Sequence, residues 1–139
     1  MRTAVLVIAG SILLGIGALA AIEYVYTPNR IAQGFFHSVA HKGSGAAALY
    51  RLPGGRRSLR LINFNTSMRP DLTVYLISAA DAFDNETVAT SSFISLGPLK
   101  DAAVEQVYEV PPGIDLSRYH AVTIWSRKYA VNFTTAPLR

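Results

Sequence analysis

The chain has 139 residues, a formal net charge of +4 and no cysteine. That length suits one small domain, and the lack of cysteine excludes disulfides, iron–sulfur ligation and thiol chemistry within the chain. The basic excess is too thinly spread for a nucleic-acid binder, whose Lys and Arg gather on one face.

Arg2 precedes an uncharged run from Thr3 to Ile22, twenty residues long. A helix of that length spans roughly 30 Å, the hydrocarbon thickness of a bilayer. Glu23, Tyr24 and Tyr26 follow at the level of the headgroups, and Pro28 stops a helix. Residues 1–26 are expected to form a signal anchor that enters the membrane through residues 3–22. The remainder would then lie outside the cytoplasm, in a bacterial periplasm or on a cell surface. The alternative is a cleaved signal peptide and a secreted chain, since "ALA" at 18–20 fits an A-x-A cleavage site. The length of the run favours the anchor. Residues 27–33 read as a linker to a domain at 34–139, whose lead-in runs to about 45.

From there turn residues punctuate short β-rich runs. "AAALYRL" and "SLRLINF" flank "PGG" at 53–55, a hairpin signal. "DLTVYLIS", "SSFISL" and "EQVYEV" follow, and "AVTIW" and "YAVNF" form a last hairpin. Segment 79–91 reads as a long loop or a helical turn. About seven or eight short strands at this spacing predict an all-β antiparallel sandwich behind one N-terminal membrane or signal helix. Alternation puts Leu59 and Leu61 on one face, and Val122, Ile124 and Ser126 together on a core-facing row. In "LTVYLI" both faces look covered. Trp125, the lone tryptophan, is expected to be buried against a residue such as Tyr129 or Phe133.

"HKGSGAAALYRL", "LRLINF", "PDLTVYL", "LGPLK", "QVYEVP", "DLSRYHAVTIW" and "VNFTTAPL" occur in the order, and near the spacing, of the DM-thirteen domain. The chain therefore resembles that family, found in bacterial exported proteins and in animal cell-surface proteins of the Skeletor type, over about residues 34–139. The resemblance implies a role proposed to be electron transfer, centred on a cysteine directly after the tryptophan of the "IW" motif. Here that position holds Ser126. A hydroxyl cannot cycle between thiol and disulfide and is a poor haem ligand beside a thiolate. Arg69 stands where the family has a glycine before "PDL", and "DAAVEQ" at 101–106 lacks the family's loop glycine.

His37 and His41, four residues apart, are expected to face the same way. His41 matches the family's histidine before "GSG". With His120 and a carboxylate such as Asp71 these histidines are the candidates for haem or metal, but no dense ligand cluster accompanies them. No metal and no cofactor are therefore expected, with haem as the alternative. Asp71 and Asp115 read as caps of local turns. "GSGAAA" at 43–48 reads as a bend into a strand, since a dinucleotide loop needs a strand before and a helix after. A hydrolytic trio of Ser44 or Ser126 with His120 and an aspartate lacks a nucleophile elbow.

Arg51, Arg56, Arg57 and Arg60 cluster on the first hairpin. They suit anionic headgroups or acidic glycans, although solvated charges that discourage edge pairing are the simpler reading. N-x-S/T sequences start at Asn65, Asn85 and Asn132, the last within a predicted strand. The functional expectation is a non-enzymatic, membrane-tethered extracytoplasmic binding module with an unknown protein or glycan partner. The alternative is an electron-transfer domain that binds haem or metal through histidines.

Overall fold

A computed structural model describes residues 29–139. The expected membrane or signal segment at 1–26 lies outside them. No described helix is long and apolar enough to cross a membrane.

The described chain is all-β. Its strands are β1 (Asn29–Phe35), β2 (His37–Ser38), β3 (Gly43–Arg51), β4 (Arg57–Thr66), β5 (Leu72–Ile77), β6 (Phe93–Pro98), β7 (Ala103–Val110), β8 (Ala121–Ser126) and β9 (Val131–Pro137). One short helix, α1 (Asn85–Thr90), interrupts them. Two antiparallel sheets result, one ordered β1-β3-β4-β7 and the other β2-β9-β8-β5-β6. This is the sandwich that the sequence predicts, with nine described strands in place of seven or eight.

The extra strands come from the stretch read as linker and lead-in. Asn29 to Gln33, inside the expected 27–33 linker, belong to β1 and pair with β3. The stretch lacks hydrophobic alternation because β1 is an edge strand, exposed or half-exposed throughout. Its backbone pairing, not its side chains, holds it in place.

Leu49, Leu59, Leu61 and Phe64 from one sheet meet Leu72, Val74, Leu76, Val122 and Ile124 from the other. Fully burying each such side chain contributes roughly 1.5–3 kcal/mol. Phe36, between β1 and β2, enters this core edge-on to Phe64 at 4.9 Å between ring centroids. Gly45 makes the bend that "GSGAAA" suggests. Its φ is +94°, the register of β3 on β4 shifts beside it, and a Cβ there would lie 2.4 Å from the Asn63 carbonyl oxygen.

The second sheet is covered on its other face too. Segment 79–91 crosses it, and α1 is its helical turn, with Asp84 accepting the Thr87 N–H at 2.8 Å as N-cap. Ala82 and Val88 pack there against Tyr75, Ile77, Ala121 and Trp125. Hence every residue of β5 and β8 is buried. Asn132, fully buried, ties the cover down: its N–H donates to Asn85 Oδ1 at 2.8 Å and its side-chain amide donates to the Asp84 carbonyl at 3.3 Å.

Candidate functional site

The register of β5 on β8 pairs Leu72 with Ser126, so Asp71 sits one residue beyond the last pair, beside the β8–β9 turn. Ser126 is 1% exposed and shares the inward row with Val122 and Ile124, as alternation predicts. Its hydroxyl donates to Asp71 Oδ2. The Lys128 N–H reaches the same oxygen at 3.1 Å, and the Tyr129 N–H donates to Ser126 Oγ at 3.3 Å. Nearby backbone thus does bond Ser126, through Tyr129, whereas Asp71 departs from the local cap expected of it. Instead the carboxylate joins the start of β5 to the turn after β8. The departure arises because the register between strands far apart in the chain is invisible in sequence.

The Ser126 hydroxyl, first, and then the Lys128 N–H hold the Asp71 carboxyl below the usual carboxylate range, against an opposing effect of desolvation. Asp71 is therefore ionised at neutral pH. Over it lies a cavity of about 150 Å³ lined by His41, Arg69, Asp71, Ser126, Tyr129, Val131 and Phe133. The His41 ring lies flat on Phe133, 3.9 Å between centroids, and the His41 backbone N–H donates to the Phe133 carbonyl at 3.2 Å. A half-exposed ion, a buried hydroxyl and aromatic walls suit recognition of one small group.

The histidines separate. β2 ends at Ser38 and the chain bends, so His37 and His41 do not face one centre. His37 Nε2 lies 2.7 Å from Asp81 Oδ1, and its ring stacks on Phe83 at 4.4 Å, which pins the covering segment to the β2 edge. His120 is exposed, and its backbone N–H and carbonyl join Ile77 and Leu138. Among the described residues no three His, Cys, Asp or Glu side chains gather as a metal site. Haem does not fit the cavity either: about 150 Å³ is below the roughly 300 Å³ floor of cofactor clefts.

Trp125 is buried at 7% exposure, but on the covered outer face, 6.3 Å from Tyr75. The expected packing on Tyr129 or Phe133 is corrected: Phe133 faces the inter-sheet core, and Tyr129 is 67% exposed at the turn. Asp115 is the local cap expected, accepting the Ser117 N–H at 3.1 Å. Within 101–106, at the start of β7 and beside a register shift, Val104 takes φ +71°, a conformation that suits glycine and is rare for a β-branched side chain. Gln106 closes that loop, donating from Nε2 to the Asp101 carbonyl at 2.8 Å and accepting from Tyr108 Oη at 2.5 Å.

The basic residues lie at the other end of the sandwich. The 3₁₀ turn Pro53–Gly55 closes the β3–β4 hairpin, and Arg51 and Arg57 are cross-strand partners. Arg56 Nη1 lies 3.9 Å from Glu109 Oε2. Arg60 stands apart, over the Tyr50 ring at 5.3 Å.

What sequence reasoning missed is the convergence of His41, Asp71 and Ser126. A signal existed, because each falls at a family-matched position and the three come from separate motifs. Neither the curated proteins nor the solved structures provide a match to this chain. The family model described as Electron transfer DM13 matches residues 35–138, which takes in both sheets apart from β1 up to Gly34, together with the whole Asp71–Ser126 cavity, and the chain belongs to that family.

Proposed function

We propose that the protein is a membrane-tethered, extracytoplasmic binding module, not an enzyme, whose recognition site is the cavity over Asp71 and Ser126. One observation carries this reading. Where the family resemblance places a redox cysteine, the chain has a buried serine whose hydroxyl is committed to an ionised aspartate. A hydroxyl so placed offers no accessible electron-transfer couple. The cavity accommodates one small group, comparable to the space that holds a benzene-sized ligand. The partner is then an extracytoplasmic protein or glycan that presents such a group.

Membership of an electron-transfer family supports a second reading, in which haem or a metal binds through His37, His41 or His120. The separation of these side chains weighs against it. The test is purification of the full chain from its native membrane. The first reading expects no Soret band and no stoichiometric metal, together with a co-purifying partner that is lost on Arg69→Ala. A Soret band or bound metal that depends on a histidine would establish the second reading instead. For the tether, the expected result is a chain that resists carbonate extraction. A mature chain that starts at Ala21 and is free outside the cytoplasm would show a cleaved signal.

A further inference from the structure

β1 begins at Asn29, and its register partner is Arg51. The chain thus enters the sandwich at the end where the β3–β4 hairpin presents Arg51, Arg56 and Arg57. From Asn29 the β1–β2 edge runs along β9 toward the opposite end. Gln33 bonds to Arg139, Ser38 pairs with Thr134, and the His41 N–H reaches the Phe133 carbonyl. At about 3.3 Å per residue this edge is on the order of 35 Å long. The arginine hairpin and the Asp71–Ser126 cavity therefore lie at opposite ends of the molecule.

The hairpin end carries a repulsion that the fold offsets only in part, through Asp115, which borders a groove with Arg51 and Arg57 and is held ionised by Ser117 foremost and in part by Arg57. Arg51 and Arg57 stand directly opposite each other, a like-charge pair that destabilises a sheet. Among the described residues neither is in an ion pair, and the single contact of Arg56, to Glu109, joins two side chains that are each 64% exposed. The three arginines border an open groove of about 470 Å³ together with Gly54, Gly55 and Glu109. A charge arrangement that costs stability alone is explained if an anion normally faces it.

We propose that this end docks on an anionic membrane surface, with Arg51, Arg56 and Arg57 against lipid phosphates and the Asp71–Ser126 cavity held away from the bilayer. The inference rests on the tether reading. Only residues 23 to 28 separate the apolar run from Asn29. Six residues reach roughly 20 Å at full extension, so the hairpin stays within reach of the outer-facing headgroups, and where that leaflet carries anionic lipid a basic patch at its surface is drawn to it. The opposite end also carries Lys42, Arg69, Arg127 and Lys128, so charge alone does not choose between the ends. The point of chain entry does. An acidic glycan satisfies the same charges but gives no reason for them to gather where the chain enters.

The cysteine-free chain permits a direct test. The full chain carrying Pro53→Cys or Met68→Cys, each with an environment-sensitive dye, is reconstituted in nanodiscs. The discs hold phosphatidylcholine alone or mixed with phosphatidylglycerol, and a headgroup-level quencher is included. Docking expects quenching at position 53 and not at 68, only with phosphatidylglycerol, and reversed by high salt. Arg51→Gln, Arg56→Gln and Arg57→Gln should each lower the docked-to-free ratio by roughly fivefold. Unchanged Trp125 emission would verify that these variants fold. Quenching at 68, or quenching indifferent to lipid charge or to the arginines, overturns the docking while leaving the tether intact. Binding of dextran sulfate with no response to phosphatidylglycerol assigns the arginines to a glycan and also overturns it. Release of the chain from the discs by carbonate removes the tether and the docking together.

Discussion

At the Ser126 end of the sandwich an ionised carboxylate is hydrogen-bonded locally: Asp71 accepts a buried hydroxyl and a backbone N–H. At the hairpin end exposed Arg51 and half-buried Arg57 face each other without an ion pair, with only Asp115 nearby to offset them. The first arrangement is complete within the fold, and a completed polar network rigidifies its surroundings. The second is only partly balanced within the fold, by Asp115 and Glu109, and the proposed docking would complete it. Position matters as much as charge. The satisfied end builds a cavity, and the partly balanced end adjoins the point where the chain enters.

Phe133→Ala should have the largest effect. The ring is 4% exposed, packs in the inter-sheet core and supports His41. Its truncation is expected to cost about 3–5 kcal/mol in denaturant unfolding. A loss well under that range would mean that the cavity end is loosely packed and would weaken the contrast with the hairpin end.

Asp71→Asn sharpens the comparison through pH. Because the folded carboxyl is held below its ordinary range, its contribution is present while it is ionised and is lost as pH falls through the lowered folded value. The melting temperature of wild type should exceed that of Asp71→Asn at neutral pH, and the gap should close below about pH 4. A gap independent of pH would show that the charge is not what the Ser126 hydroxyl stabilises.

Ser126→Cys should disturb the fold less, since sulfur replaces oxygen in a site of the same shape. The new thiol would be buried beside the Asp71 carboxylate, and both features raise a thiol's pKa and suppress the thiolate. Native protein should therefore resist maleimide until it unfolds. Rapid labelling of the folded variant, or a new visible absorbance band, would revive the electron-transfer reading.

Arg51→Glu should have the smallest effect on stability, and with the opposite sign. Replacing the like-charge pair with Arg57 by an opposite-charge pair is expected to stabilise the lipid-free domain by about 0.2–1 kcal/mol. The same variant should weaken docking on anionic lipid. A destabilised variant would mean that the two arginines already share an anion in the lipid-free protein.

Much of the architecture was legible locally. Alternation in "SLRLINF" and "AVTIWS" places Leu59, Leu61, Val122, Ile124 and Ser126 on inward rows, because side chains alternate faces whatever the strand pairs with. "PGG" marks the β3–β4 turn because two consecutive glycines tolerate positive φ, here +86° and +85°. β1 was not legible, because an exposed edge strand held by backbone pairing carries no hydrophobic period.

The sequence by itself determined the strand rows, the burial of Trp125 and Ser126, the absence of a thiol at the family position and the basic hairpin. Each depends on residue type or on spacing along one strand. Only the tertiary structure decided what those residues meet. Asp71 reaches Ser126 because β5 pairs with β8 in one register. Trp125 meets Tyr75 through the same register, and both are buried because segment 79–91 covers the outer face. Arg51 lies at the chain's entry because β1 returns to the edge of β3. These contacts join residues far apart in the chain, and the backbone pairing that sets their register leaves no periodic mark in the side chains.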